Sequence, residues 1–93
     1  MKIDELLEKI LKGSQYLGTY DLLELMQYAS ARGINGIALA KGDGRNLYLA
    51  FIAGEAEGAI YIDEKGVLFG DKAVLMIQAK EKFVLTENST ALD

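Results

Sequence analysis

The side chains able to do chemistry in this sequence are carboxylates and tyrosines, because it holds no histidine and no cysteine. Without imidazole or thiolate, zinc, iron–sulfur and haem sites lack their usual ligands. Every nucleophile–histidine arrangement is excluded as well. Glu55, Glu57 and Asp63 are the carboxylates placed where general acid–base work is conceivable. Glu55 belongs at a hairpin tip, in solvent. Glu57 alternates onto a strand face short of charge and is the carboxylate expected to find a partner. Ser14, Ser30 and Ser89 have no neighbouring base and no elbow motif. No catalytic residue, metal or cofactor is expected.

The glycines invite a phosphate-binding reading that their context refuses. Gly42-Asp43-Gly44 falls between two strands, whereas dinucleotide and P-loop motifs join a strand to a helix N-terminus. The acidic run Asp63-Glu64-Lys65-Gly66 to Gly70-Asp71 is broken by Lys65, Val67 and Leu68, so it does not supply the alternate oxygen ligands of a calcium loop. Asn88-Ser89-Thr90 matches a glycosylation sequon, which carries little weight without a secretory signal. The start, Met1-Lys2-Ile3-Asp4-Glu5, turns acidic instead of entering an apolar signal segment. No stretch approaches the roughly 20 apolar residues of a membrane span. A net charge of −4 argues against nucleic acid, whose phosphates reward cationic surfaces. Lys72, Lys80 and Lys82 are interleaved with Asp71, Glu81 and Glu87 and are expected as solvated surface. The expectation is a cytoplasmic protein.

The elements that position these groups can be read from periodicity. Ninety-three residues make one domain. Ile3, Leu6, Leu7, Ile10 and Leu11 recur at helical spacing, and Gly13 can cap the helix they define. After a polar linker flanked by Tyr16 and Tyr20, Asp21 and Glu24 form a potential capping box. The helix that follows carries Leu22, Leu23, Leu25, Met26, Tyr28 and Ala29, and stops at Gly33. From Ile34 the period becomes two, and turn residues divide the chain into short strands. The expected architecture is α+β, a single domain over residues 1–86. Helices are expected at about 3–12, 21–32 and 71–79, and strands at about 36–41, 46–53, 56–63, 67–69 and 82–86. Residues 87–93 are expected as a flexible tail or boundary segment.

Turn chemistry suggests a register. A two-residue Gly54-Glu55 loop of type II′ would set Ala53 opposite Ala56, Phe51 opposite Gly58, and Leu49 opposite Ile60. Leu47, Leu49, Phe51, Ile60 and Ile62 would then share one face. An odd-numbered first loop with a glycine bulge would bring Ile37 and Leu39 to that face. The other face would hold Ala38, Ala40, Tyr48, Ala50, Ile52, Glu57, Ala59 and Tyr61, with Tyr48 opposite Tyr61. Such a face is short of charge, and tyrosine is enriched at interfaces. Tyr48, Ile52, Glu57 and Tyr61 are therefore the candidate interaction residues, unless a helix covers them.

Between residues 21 and 85 a series of short motifs follows in order: Asp21-Leu22-Leu23-Glu24-Leu25-Met26, Gly36-Ile37-Ala38-Leu39, and 47–55 with its Phe51-x-x-Gly54-Glu55 ending. Gly58-Ala59-Ile60, Gly70-Asp71-Lys72-Ala73-Val74-Leu75 and Lys82-Phe83-Val84-Leu85 complete it. In these residues the chain resembles the PATAN-type domain, a module of bacterial and archaeal proteins often found beside signalling domains. The segment 61–68 departs from it as an additional strand. The resemblance implies a non-enzymatic signalling or scaffolding module and supplies no catalytic residues. The expected function is a regulatory or protein-interaction module that binds a protein partner or forms a homodimer, neither on nucleic acid nor in a membrane. The alternative is a small-ligand sensor with an apolar pocket between helices and sheet.

Overall fold

The computed structural model describes residues 3–87, without the side chain of Asp4. In chain order the elements are α1 (Ile3–Lys12), β1 (Gln15–Tyr20), α2 (Leu22–Arg32), β2 (Gly36–Gly42), β3 (Arg45–Ile52), β4 (Glu55–Asp63), β5 (Gly66–Phe69), α3 (Asp71–Val74) and β6 (Phe83–Glu87). The class is α+β. The strands form one six-stranded antiparallel sheet in the order β1-β6-β2-β3-β4-β5.

Local chemistry explains most boundaries. Asp21 accepts the Glu24 amide at 2.8 Å, and Glu24 accepts the Asp21 amide at 3.1 Å, so two amides left open by the first turn of α2 are satisfied. Gly33 ends α2 in the left-handed conformation (φ 61°), which glycine adopts without the steric cost of a Cβ. The segment expected as a linker is instead β1. Its residues are at most half-buried, so the burial contrast that marks a strand in sequence is weak there. Of the expected third helix only Asp71–Val74 is helical. Met76 and Ile77, beyond its end, still pack against the core. The expected tail overlaps β6 at Glu87, and its remainder, 88–93, lies outside the described residues.

The register differs from the expected one at both hairpins. Gly42 pairs with Arg45, so the first loop is the two-residue Asp43-Gly44 and not an odd one. Ile52 pairs with Glu55, so the second loop is Ala53-Gly54, with φ of 51° and 86°. Two positive φ values match the right-handed twist of the flanking strands as a type I′ turn does. The bulge sits in β4 instead. Ala50 pairs with Gly58 and Phe51 with Ala56, leaving Glu57 as the extra residue.

These shifts reassign the faces. Leu47, Leu49, Phe51, Ala59 and Tyr61 join Ala38, Ala40, Phe83 and Leu85 in the main core, under Leu25 and Ala29 of α2 and Ala73 of α3. Ile37, Tyr48, Leu39, Ile60 and Ile62 lie on the opposite face, under Leu7 and its neighbours on α1. The result is three layers, with helices on both faces of the sheet. The second hairpin is tied to the α2–β2 connection, because the Gly54 amide donates to the Ile34 carbonyl at 2.9 Å and the Ala53 amide to Asn35 Oδ1 at 2.7 Å. A Cβ on Gly54 would lie 2.7 Å from the Ala29 carbonyl oxygen. Gly54→Ala is accordingly expected to destabilise the fold by about 2–4 kcal/mol, combining a left-handed alanine with a backbone collision. Urea denaturation of the two proteins measures it.

Candidate functional site

The four expected interaction residues do not form one patch. Tyr48 is 2% exposed and belongs to the α1 side. Tyr61 is buried on the α2 side and pairs with Leu47, while Tyr48 pairs with Ile60. The sheet therefore separates the two rings. The cause is the parity change at Glu57, which exchanges the faces of every β4 residue after it relative to the expected register. Ile52 remains exposed, two residues along β3 from Ala50.

Tyr48 and Glu57 do come together at a pocket of about 380 Å³. Its floor is the Ala50–Gly58 pair, two residues with almost no side-chain bulk. A Cβ on Gly58 would meet only the Ala50 methyl, at 3.8 Å. Leu7 of α1, Tyr48 and Ile60 make the walls, and Phe69 of β5 borders it. Glu57 is the one carboxylate among its lining residues. The arrangement suits a small apolar body, with Glu57 as the charged residue on its border. It holds no nucleophile–base pair. Among the described residues no three side chains of metal-binding type come together, and no helix is long and apolar enough to cross a membrane.

A second feature adjoins the pocket. β5 is an edge strand with all four residues exposed, and Phe69 is 58% exposed. Val74 and Leu75, just after it in the chain, are also exposed, Leu75 at 83%. The run Val67-Leu68-Phe69 was legible as a short strand. Its place at the sheet edge was not, because strand order depends on where β6 inserts.

The turn leading into β5 is organised by Asp63. Its Oδ1 accepts the amides of Lys65 at 2.8 Å and Gly66 at 3.2 Å. The Lys65 amide foremost, helped by the Tyr61 hydroxyl and the Lys65 charge, holds the Asp63 carboxyl below its usual range despite partial burial. Behind the turn, Arg45 forms an ion pair with the buried Glu81 and lies 5.7 Å from the Tyr61 ring centre. This pair fastens the irregular segment 75–82 to the start of β3. Lys72, Lys80 and Lys82 are exposed, as their spacing suggests. Tyr20 stacks on Tyr28 with ring centres 5.0 Å apart, and the Arg32 guanidinium lies 4.9 Å from the Tyr28 ring. These tyrosines brace α2 against β1.

No protein-family model, curated protein or solved structure matches the chain.

The folded hairpin favours ionised Asp63, so its contribution to stability is complete above the ordinary carboxylate range and is lost as pH falls through the depressed folded value. Asp63→Asn is expected to flatten the acid side of the stability profile. Denaturation midpoints between about pH 2.5 and 7 measure this, with the largest difference between the proteins near neutrality and the smallest at the acid end.

Proposed function

We propose that the protein is a cytoplasmic, non-enzymatic interaction module that receives an extended segment of a protein partner along β5, as an added strand. The observation that carries this is the exposed apolar edge of Val67, Leu68 and Phe69, flanked by Val74 and Leu75. An open edge offers main-chain hydrogen bonds to an incoming strand, and alternate side chains give it specificity. Exposed apolar edges invite association unless they are protected. The negative net charge and the absence of imidazole and thiol chemistry favour a protein partner over nucleic acid or a reaction. The resemblance to PATAN-type domains points the same way. Lys65 and Lys72 stand at the two ends of the edge and allow a residue-resolved test. Amine cross-linking in cells is expected to join these lysines to another polypeptide, and Leu68→Glu should abolish those links while circular dichroism stays native. Links that persist unchanged in the variant would refute the proposal.

The pocket bordered by Tyr48 and Glu57 favours a second reading, a sensor for a small apolar ligand with a cationic or hydroxyl group. A ligand at 100 times its Kd would stabilise the fold by about 2.7 kcal/mol. A thermal-shift screen of amphiphilic amines and alcohols is expected to give hits that vanish in Ala50→Leu, which fills the floor. Hits unaffected by that substitution, or none at all, would remove the pocket from consideration.

A further inference from the structure

The two edges of the sheet are not equivalent. β1 is interrupted by an irregularity between Tyr16 and Gly18, and Gly18 has a φ of 131°. Bulged edges pair poorly with further strands. β5 pairs with β4 in unbroken register.

The pairing also tells which way the β5 main chain points. The Gly70 amide donates to the Ala59 carbonyl at 2.9 Å, and Asp63 pairs with Gly66 across a two-residue loop. Antiparallel pairs alternate between hydrogen-bonded and non-hydrogen-bonded. Gly66, Leu68 and Gly70 therefore direct their amides and carbonyls toward β4, and Val67 and Phe69 direct theirs outward.

We infer that a second copy of this chain occupies the edge, with the two β5 strands antiparallel about a two-fold axis at Leu68. This deepens the interaction-module reading and rests on it. Outward residues must meet outward residues, which leaves few registers. Centring on Leu68 sets Val67 opposite the partner's Phe69 and Phe69 opposite the partner's Val67, so both outward residues of each strand are used. Beyond the strand ends it brings the β4–β5 turn, with Glu64 and Lys65, toward the start of the partner's α3, with Asp71 and Lys72, so both ends of the contact carry opposite charges. Centring on Val67 would set Phe69 opposite the partner's Lys65 in the β4–β5 turn, and centring on Phe69 would set Val67 opposite the partner's Asp71 in α3, so each would use one outward residue of the strand instead of two. A two-fold contact of this kind is self-complementary, and it joins two sheets into one.

The absence of cysteine makes a single introduced thiol diagnostic. On the axis, Leu68 and the partner's Leu68 form a non-hydrogen-bonded pair, with Cα atoms about 4.5 Å apart, a separation a disulfide spans. Leu68→Cys is expected to oxidise to a covalent dimer at least about tenfold faster than Ser30→Cys, an exposed control on α2. Lys65→Glu should slow that cross-linking several-fold, and adding Asp71→Lys should restore it. Sedimentation of the unsubstituted protein should show a dimer. Equal cross-linking rates for the two thiols, or a monomer at all concentrations up to about 1 mM, would overturn the inference. In either case, cross-links from Lys65 and Lys72 to a different protein would leave the interaction-module reading standing.

Discussion

Strand side chains alternate sides with a period of two, so a single unpaired residue reverses the facing of everything beyond it. Glu57 is that residue in β4. Because it is inserted opposite the Ala50–Phe51 step, Ala59 and Tyr61 turn inward beside Leu49 and Leu47, while Ile60 and Ile62 turn toward α1. The main core takes the small residues Ala38, Ala40 and Ala59, which leave room for α2 and α3 to lie close. The opposite face takes Ile37, Leu39, Tyr48, Ile60 and Ile62, and α1 covers them. Both apolar faces are then satisfied by one short chain.

The same insertion shapes the candidate site. Gly58 sits next to the bulge and pairs with Ala50, so the sheet has a bare spot on the α1 side. Leu7 and Tyr48 stand around that spot without filling it. One turn further along the meander, the β4–β5 connection carries the chain to an edge with apolar residues on both faces: Val67 and Phe69 beside Ile62 and Ile60, Leu68 beside Tyr61. Pocket and edge share Phe69, so an occupant of one touches the boundary of the other.

Local signals in the sequence were strong enough to locate α1, α2 and the four-strand meander, since helical spacing, the Asp21–Glu24 box and the turn glycines all act within a few residues. Facing was harder. Asp43-Gly44 and Ala53-Gly54 each admit several loop lengths. Placing the second loop at Gly54-Glu55 slid the pairing by two residues without changing faces, and it was the bulge at Glu57 that exchanged the faces of β4. Alanine at a positive φ gives no local warning; the conformation is imposed from a distance by Ile34 and Asn35. The identity of β1 as a strand and the position of β6 were hidden for a related reason, because each is defined by a partner far along the chain. Tyr48 and Glu57 were identifiable as unusual, but their relation to Leu7 and Phe69 exists only in three dimensions.

The central placement of β6 has a kinetic consequence. Among the described residues β1 pairs with β6 alone, and β6 is also the strand that joins β1 to β2. The meander β2 to β5 can zip up from neighbouring hairpins as it is synthesised. β1 must wait across some sixty intervening positions for the closing strand, and contacts of such long separation slow folding. Until Phe83–Glu87 arrives, the exposed flank of β2 is an unpaired edge beside β5, so a nascent chain presents two regular open margins, whereas the finished sheet ends on that side in the interrupted β1. Order of synthesis thus places the greatest risk of misassociation in the last moments before the sheet is complete.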